Sequence, residues 1–498
     1  MDRYFIGIDV STTASKALVI DEAGGVVASH STPHDLQTPR PLWSEQDPDQ
    51  WWSATCSSLR AVLTQVAAHD IAAIGLTGQM HGLTLLDAAD RPLRPAILWN
   101  DGRSGAQCAA ITAEVGAEWL YGHIGTMMLP GFTAPKIRWL REHEPDIYRQ
   151  AAHVLLPKDY VRLCLTGAHV TDVADGSGFA LMDIARRTWS DQMLAAFDIP
   201  RAWLPELCES PDVCAYVNAA GSVATGLRVG TPVVGGAGDQ AAQAVGSGII
   251  ERGQTSITVG TSGVVFTATD QYHPEPAGRL HTFCHAVPGH WFHMGVMLSA
   301  AGGLRWFHDA LAAGSSFEQL SVEAATVPPG AAGLIFVPYL TGERNPHPDP
   351  LARGALVGLT LRTTRAHMVR AVMEGVAFGL RDNVELLRAQ GIQPKQAAIS
   401  GGAARSHVWR QILTDSIGLP LYTVADTEGA AMGAALLAGV GAGNWPDVPA
   451  AARAVTQLVD EQAPTPSAVA VYERLYPMYQ SLYPALRDSF HALHSFED

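Results

Sequence analysis

The 498-residue sequence predicts an α/β protein of two domains, on three observations. The chain is longer than the roughly 250 to 300 residues at which a single hydrophobic core stops growing. Apolar, strand-like runs alternate with segments of helical periodicity, as they do in α/β domains. A strand–turn–strand pattern near the N-terminus returns about halfway along the chain, which indicates a duplicated unit.

The first predicted unit is a β-hairpin followed by a helix and a buried strand. Tyr4–Val10 (YFIGIDV) and residues 16–21 (KALVID) are apolar strands, and residues 11–14 (STTA) form the turn between them. A long helix begins after Asp47, where a capping carboxylate precedes a proline at the first helical position. Residues 71–77 (IAAIGLT) form the next strand, so sheet and helix alternate.

The second predicted unit repeats this layout. Residues 254–259 (QTSITV) and 264–269 (VVFTAT) are strands, and a GTSG turn joins them. Further along, residues 421–440 supply a strand, a turn and an alanine-rich helix, and a final helix covers about residues 469–494. The Pro- and Ala-rich segment 445–466 is predicted to be a surface connection.

Composition and charge exclude several classes of partner. Asp and Glu outnumber Lys and Arg by 48 to 33, and the net charge of -15 repels nucleic acid and anionic membrane surfaces. We therefore expect no nucleic-acid partner and no membrane association. The sequence has six cysteines without a C-x-x-C pair, and it shows no signal-peptide pattern and no apolar run of membrane-spanning length. These features predict that the protein resides in the reducing cytoplasm. The sequence leaves the oligomeric state open, a homodimer included.

Familiar phosphate-binding motifs are missing from the sequence. It contains no Gly-Lys dipeptide and therefore no Walker A loop, and it lacks the H-R-D and D-F-G elements of protein kinases. A G-x-G-x-x-A match at Gly236, Gly238 and Ala241 leaves an NAD-dependent oxidoreductase as a remote alternative. That fingerprint also requires a carboxylate about 20 residues further on, and Glu251 comes too early for it.

Several segments together resemble the FGGY carbohydrate kinase family along most of the chain. Residues 131–140 (GFTAPKIRWL) and the stretch GALVGLTLRTTRAHMVRAVMEG from Gly354 look like the two family signatures, and residues 338–346 read PYLTGERNP. The resemblance implies an α/β, two-domain, actin-like (ribonuclease-H-like) ATPase fold with a central cleft. It also implies a sugar-binding domain over residues 1–245, a nucleotide-binding domain over residues 246–498, and ATP and Mg²⁺ as cofactors.

The same resemblance assigns nucleotide-binding and catalytic residues. Asp239 is the expected general base for the sugar hydroxyl, although an aspartate after glycines is also typical of a helix N-cap. Asp9 ends an apolar strand, and we expect it to hold Mg²⁺ through a water ligand, with a turn-forming aspartate as the alternative. The predicted ATP-binding residues are Thr12, Thr13, Gly260, Thr261, Ser262, Gly401, Gly402 and Ser406. Ser11 and Ala403 replace glycines that are usual in the family, which leaves nucleotide affinity open.

Four further segments are similar to those of family members that act on five-carbon ketoses. They read LWSEQDPDQWW, GQMHG, ILWNDGR and LPKDY. The predicted sugar-binding residues are Met80, His81, Trp99, Asn100, Asp101, Arg103, Asp239 and Gln240. As bare sequence, an isolated histidine is more often a satisfied, partly buried side chain, and WNDGR is equally typical of a solvated turn.

The expected function is ATP-dependent phosphorylation of D-xylulose to D-xylulose 5-phosphate, with the sugar and ATP as partners. Within the family, D-ribulose, L-xylulose and D-arabinitol remain alternative substrates, and Gln240 stands where many relatives carry asparagine. An actin-like nucleotide switch would share the phosphate-binding hairpins but would need no sugar loop. The GQMHG and WNDGR segments therefore favour the kinase.

Overall fold

The computed structural model describes residues 3–425 and 428–496 and contains two seven-stranded sheets. The first sheet consists of β1 (Tyr4–Val10), β2 (Ala14–Ile20), β3 (Val26–Pro33), β4 (Ile71–Gly78), β5 (Val213–Tyr216), β6 (Pro232–Val234) and β7 (Ala237–Gly238). The second sheet consists of β8 (Thr255–Val259), β9 (Gly263–Thr269), β10 (His281–Cys284), β11 (Trp291–Met297), β12 (Ala397–Gly401), β13 (Leu421–Val424) and β14 (Leu458–Gln462). Shorter strands form two-stranded ladders, which pair Glu45–Gln46 with Ala96–Ile97, Thr84–Leu86 with His153–Leu155, Val170–Asp172 with Glu206–Cys208, Met182–Asp183 with Thr188–Trp189, and Ile335–Pro338 with Gly354–Val357.

Helices surround both sheets. The α-helices are α1 (Pro48–Val62), α2 (Gly105–Val115), α3 (Ala117–Ile124), α4 (Thr133–His143), α5 (Pro145–Tyr148), α6 (Pro157–Thr166), α7 (Val173–Gly176), α8 (Asp191–Phe197), α9 (Ala219–Thr225), α10 (Asp239–Gly246), α11 (Ala301–Leu311), α12 (Phe317–Ala325), α13 (Arg365–Ala389), α14 (His407–Ile417), α15 (Ala430–Gly441), α16 (Val448–Val455) and α17 (Pro466–Leu493). Short 3₁₀ helices cover Ser177–Phe179, Arg201–Trp203, Ala331–Gly333, Gly402–Arg405 and His494–Phe496. The whole is an α/β architecture, as the sequence predicts.

The two sheets share the same local strand order around a central hairpin. In the first sheet, β1 pairs antiparallel with β2 and parallel with β4, and β2 pairs antiparallel with β3. In the second sheet, β8 pairs antiparallel with β9 and parallel with β12, and β9 pairs antiparallel with β11. This repeated order confirms the duplicated hairpin, so each half of the chain contributes one hairpin turn.

The predicted helix boundaries follow from their caps. Helix α1 begins at Pro48, and the Asp47 side chain accepts a hydrogen bond from the Asp49 backbone N–H at 3.0 Å. The final helix, α17, begins three residues before the predicted residue 469 and continues through two internal prolines. The strand and the helix that the sequence predicts over residues 421–440 are present as β13 and α15, and residues 426 and 427 of the predicted turn lie outside the described residues.

The prediction of a surface connection over residues 445–466 is wrong, because α16 and β14 lie in this segment. Asp447 caps α16 by accepting a hydrogen bond from the Ala450 backbone N–H at 2.7 Å. Pro449 lies in the first turn of α16, where its missing N–H would have no helical partner. Strand β14 pairs antiparallel with β13 at the edge of the second sheet. Most of this segment therefore belongs to a capped helix and an edge strand.

Helix α15 comes from the second half of the chain but packs on the first sheet. A Cβ atom at Gly7 of β1 would lie 1.9 Å from the Ala431 carbonyl oxygen of α15. On the other side of α15, a Cβ at Gly433 would lie 1.8 Å from the Ala242 carbonyl oxygen of α10. Only glycine permits backbones to approach this closely. The two halves of the chain are thus joined by direct backbone packing.

Within the described residues, no helix combines the length and the apolar character that crossing a membrane would require. All six cysteines are unpaired, and three of them, Cys56, Cys108 and Cys284, are buried.

We predict that Gly433→Ala destabilises the protein, because the new methyl group would overlap the Ala242 carbonyl oxygen. Overpacking of this kind typically lowers the free energy of unfolding by about 1–3 kcal/mol. A thermal melt followed by circular dichroism measures the effect. Gly122→Ala in α3 is the matched control, since no atom lies within 4 Å of the added Cβ and alanine is the better helix former. Equal melting temperatures for the two variants would contradict the packing described for α15.

Candidate active site

A cavity of about 160 Å³ lies between the two halves of the chain. Six residues that the sequence assigns to substrates line it: Met80, His81, Trp99, Asp239, Gln240 and Ser262. Ser262 belongs to the turn before β9, whereas the other five come from the first half of the chain. A ligand in this cavity therefore contacts both halves, as expected of a cleft.

Asp239 is the first residue of α10 and directly follows β7. The N-cap of this helix is Gly238, so the alternative in which Asp239 serves as the cap is wrong. Burial raises the pKa of Asp239 to about 6, and hydrogen bonding by Gln240, whose side-chain amide donates to Oδ1 at 3.3 Å, opposes the rise. A carboxylate whose pKa lies closer to neutrality than usual is suited to accept a proton.

Asp9 lies near the end of β1, is half-buried, and is close enough to Asp239 for the two charges to interact. Its Oδ1 atom has no hydrogen-bond partner among the described residues. Burial raises the pKa of Asp9 to about 7, and the negative charge of Asp239 adds to the rise, while Lys16 opposes it. Lys16 is the cross-strand neighbour of Asp9 and forms an ion pair with Glu428. A buried carboxylate oxygen without a partner, beside a second carboxylate, fits a divalent cation.

Thr12 and Thr13 lie in the turn between β1 and β2. The Ser11 hydroxyl donates to the Ala14 carbonyl oxygen at 2.9 Å and closes this turn. The described residues with a positive φ do not include Ser11, so serine fits here without backbone strain. Thr12 Oγ1 accepts a hydrogen bond from Trp99 Nε1 at 3.1 Å, and Thr13 is exposed. The first hairpin turn is therefore hydrogen-bonded to Trp99 in the lining of the cavity.

Gly260, Thr261 and Ser262 form the corresponding turn between β8 and β9. The carbonyl oxygens of Gly260 and Thr261 accept hydrogen bonds from the backbone N–H groups of Ala301 and Ala300, each at 2.8 Å. This turn is thereby held against the N-terminus of α11, where the helix dipole favours anionic groups.

Gly401 and Gly402 line a second cavity of about 570 Å³. Gly401 has a φ of 86°, and a Cβ at this position would lie 2.5 Å from the Val259 carbonyl oxygen. Both the backbone conformation and the close approach therefore require glycine.

The next residues of this loop have structural contacts. Ala403 is buried in a 3₁₀ helix and is absent from the described residues with a positive φ, so the replacement of glycine here introduces no strain. Ser406 is the N-cap of α14: its hydroxyl accepts from the Trp409 backbone N–H at 3.2 Å and contacts Ser321 at 3.1 Å. The Ser406 side chain is thus already engaged in capping.

Helix α10 connects the two cavities. Asp239 and Gln240 at its start line the first cavity, and Gln243 and Ser247 at its other end line the second. Residues four apart on a helix are separated by about 6 Å along its axis. Ligands in the two cavities are therefore neighbours.

His81 is held as a neutral hydrogen-bond acceptor. Its Nδ1 lies 3.2 Å from the Gly178 carbonyl oxygen, which can only accept, so Nδ1 carries the proton and Nε2 keeps its lone pair. Burial lowers the pKa of His81 to about 3, and the positive charge of Lys136 contributes. Lys136 Nζ also donates to the His81 carbonyl oxygen at 2.9 Å, and the ring of Phe132 lies edge-on at 4.9 Å. The residue has a φ of 66°, a strained conformation that these contacts maintain.

The WNDGR segment is divided between the cavity and the protein framework. Trp99 lines the cavity and is 43% exposed, whereas Asn100 lines a separate surface depression. Asp101 and Arg103 form a buried ion pair at 2.7 Å, and Asp101 also accepts from the Ser44 backbone N–H at 2.7 Å. Asn100, Asp101 and Arg103 do not line the cavity, and the charges of Asp101 and Arg103 are paired with each other, so we do not include these three among the sugar-binding residues proposed below.

Eight residues that sequence reasoning did not assign also line the cavity, among them Phe132, Val264, His281 and Arg344. Phe132 and Arg344 lie in GFTAPKIRWL and PYLTGERNP, segments that carry the family resemblance, so a signal for them existed. Val264 and His281 lie on strands whose facing direction depends on the register of the second sheet, which the sequence does not show.

Comparison with known proteins identifies the family. The model of the FGGY family of carbohydrate kinases, N-terminal domain, matches residues 4–246, and the C-terminal domain model of the same family matches residues 255–442. This chain belongs to the FGGY family of carbohydrate kinases. It is 42% identical to a xylulose kinase of Escherichia coli, over 97% of this chain and 99% of that protein.

Two solved structures show the same architecture. A xylulose kinase from Rhodospirillum rubrum is 33% identical, with a TM-score of 0.93 over 98% of this chain and 100% of that chain. A gluconate kinase from Lactobacillus acidophilus is 28% identical, with a TM-score of 0.95 over 99% of this chain and 100% of that chain. The predicted kinase class and fold are confirmed, and the oxidoreductase and nucleotide-switch alternatives are dropped.

We predict that the pH profile of kcat/KM for the sugar has an acidic limb with an apparent pKa of about 6, because a protonated Asp239 cannot accept a proton. Gln240→Met removes the amide that donates to the carboxylate, so it should raise the pKa of Asp239 and move this limb to higher pH. Rates measured at saturating Mg²⁺ between pH 5 and 8 test the shift. Gln243→Met, one turn further along α10, is the control and should leave the limb in place. A limb that stays unchanged in Gln240→Met would contradict the interaction.

Proposed function

We propose that this chain phosphorylates D-xylulose to D-xylulose 5-phosphate with ATP as the phosphate donor. The observation that carries the proposal is the neighbouring pair of half-buried carboxylates, Asp9 and Asp239, of which Asp239 lines a cavity that Met80 and His81 of the GQMHG segment also line. The similarity to proteins named xylulose kinases over almost the full chain supports the choice of sugar.

Asp239 is the proposed general base. Its carboxylate faces the cavity from the first turn of α10, and its raised pKa makes it a better proton acceptor than an exposed aspartate. It would take the proton of the attacking sugar hydroxyl as that oxygen bonds to the γ-phosphorus, while the bond from this phosphorus to the β,γ-bridging oxygen breaks and ADP leaves. Positioning and charge stabilisation then supply most of the catalysis, as in phosphoryl transfer generally.

Asp9 is the proposed anchor for Mg²⁺. The unpartnered Oδ1 atom is a hard oxygen donor in a buried setting, which is what this cation requires. When bound, Mg²⁺ would neutralise charge on the phosphate oxygens. The hydroxyl and backbone groups of Thr12, Thr13, Thr261 and Ser262 would bind the phosphates from the two hairpin turns.

The nucleotide base and ribose are proposed to occupy the second cavity beside Gly401 and Gly402. This cavity lies at the far end of α10, so a nucleotide bound there would extend its phosphates toward Asp239 at the start of the helix. We therefore keep the division of the chain into a sugar-binding half, residues 1–245, and a nucleotide-binding half, residues 246–498, as a proposal. Helix α15 qualifies it, since this helix belongs to the second half and packs on the first sheet.

The proposed sugar-binding residues are Met80, His81, Trp99, Asp239 and Gln240. His81 Nε2 would accept a hydrogen bond from one sugar hydroxyl, and Trp99 and Met80 would contact the apolar C–H surfaces of the sugar. D-Ribulose, L-xylulose and D-arabinitol differ from D-xylulose only in the configuration or oxidation of individual carbons. An ADP-release assay over these sugars, gluconate and glycerol ranks them by kcat/KM, and D-xylulose should give the highest value.

We predict that Asp239→Ala lowers kcat by at least about a hundredfold, within the range typical of general-base groups. ATP binding should persist, because the proposed nucleotide contacts lie elsewhere on the hairpin turns and in the second cavity. Single-turnover rates and a nucleotide titration separate the two quantities. A variant with a normal kcat would show that Asp239 has no part in proton transfer.

We predict that His81→Asn lowers kcat/KM for D-xylulose by about tenfold or more, because a buried sugar hydroxyl would lose its acceptor. Asparagine is chosen since it tolerates the positive φ of this residue, so the loss of the ring is measured apart from backbone strain. The KM for ATP should change by only a small factor. A lower melting temperature with unchanged sugar kinetics would instead assign His81 a purely structural role.

A further inference from the structure

A second group of chemically reactive side chains lies in the first half of the chain, outside the lining of both cavities described above. It consists of Asp90, His153 and His169, and one ligand atom from each lies within 4.8 Å of the others. His169 Nε2 is 2.7 Å from Asp90 Oδ1, and His153 Nε2 is 4.0 Å from the same oxygen. Two imidazoles thus converge on one carboxylate.

The three side chains are held by separate, well-bonded pieces of backbone. Asp90 sits in a turn that Asp87 closes, since Asp87 Oδ1 accepts hydrogen bonds from the backbone N–H groups of Ala89 and Arg91 at 2.8 and 3.0 Å. His153 is the first residue of a strand that pairs with Thr84–Leu86.

His169 lies between the end of α6 and the strand Val170–Asp172, and its carbonyl oxygen accepts a hydrogen bond from the Glu206 backbone N–H at 3.0 Å. The ligand atoms are therefore presented by framework that exists before any ligand binds.

The arrangement leaves one imidazole unsatisfied. His169 Nε2 donates a hydrogen bond to Asp90 Oδ1, whereas His153 Nε2 lies 4.0 Å from the same oxygen, beyond hydrogen-bond distance. The two rings are tilted by 32° with centroids 4.1 Å apart.

We propose that Asp90, His153 and His169 form a binding site for a divalent transition-metal ion of the Zn²⁺ type. Two imidazole nitrogens and one carboxylate oxygen are ligands that suit Zn²⁺ and its neighbours, whereas Mg²⁺ prefers oxygen alone. Tetrahedral ligands at about 2.1 Å from zinc are about 3.4 Å apart, and the separations of 2.7 and 4.0 Å observed here lie on either side of that value. Small rotations of the side chains would complete the site.

The ion would cross-link the Asp90 turn, the strand that begins at His153 and the segment after α6. All three side chains are about one third exposed, at 41%, 29% and 30%, so the fourth coordination position faces water. Binding only to the folded state raises stability, and it does so more as the ion concentration rises above its Kd. The expected role is therefore structural, separate from the Mg²⁺-dependent chemistry in the cleft.

Titration of the chelator-treated, full-length protein with Zn²⁺ tests the proposal by calorimetry and by thermal melting. We expect one ion per chain at this site and a higher melting temperature. Asp90→Asn, His153→Gln and His169→Ala should each weaken binding by about a hundredfold or more, since loss of even an outer-sphere partner costs about 10- to 100-fold. Asp90→Asn keeps a residue that tolerates the φ of 61° at this turn, so folding is preserved in at least this variant.

Two controls separate this site from other zinc-binding groups. His69→Ala removes the exposed histidine of another His–Asp pair, with His69 Nε2 3.5 Å from Asp70 Oδ1, and should leave binding unchanged. Cys214→Ser removes a cysteine thiol, a type of ligand that also binds zinc, and should leave the same single ion in place. The proposal is overturned if no Zn²⁺ binds, if the three site variants bind as wild type does, or if Cys214→Ser alone abolishes binding.

Discussion

Close packing of α15 against β1 and α10 determines where the two carboxylates of the cleft lie. The contact with β1 is at Gly7, two residues before Asp9, and the contact with α10 is at Ala242, three residues after Asp239. A helix from the second half of the chain therefore sets the relative positions of two residues in the first half. Direct backbone contacts allow little adjustment, because protein interiors are packed as densely as organic crystals.

Buried charge has two different outcomes in this protein. Lys158 is fully buried but lies 2.5 Å from an Asp159 oxygen and 2.8 Å from an Asp172 oxygen, so its charge is neutralised locally. Asp9, by contrast, has an oxygen without a partner and faces Asp239. A buried carboxylate of this kind is costly unless a ligand or ion joins it, and such groups concentrate at functional sites.

The fold alone does not determine the choice of sugar. The same architecture occurs in a xylulose kinase and in a gluconate kinase, with TM-scores of 0.93 and 0.95 against this chain. The cavity here presents the His81 lone pair, the Gln240 amide and the Trp99 ring. A site that hydrogen-bonds a substrate hydroxyl rejects analogues that lack it, because its buried polar groups are then left unpaired.

The sequence by itself determined the features whose signals are local. The hairpins, the capped start of α1 and the family resemblance were all readable from short segments, and they led to Asp9, His81 and Asp239 without a structure. Only the tertiary structure decided which polar residues reach the cavity. Asp101 and Arg103 resemble sugar-binding groups in sequence, but they are buried against each other and the Ser44 backbone, 57 positions from Asp101. Partners distant in the chain decide burial and pairing, and no short segment contains them.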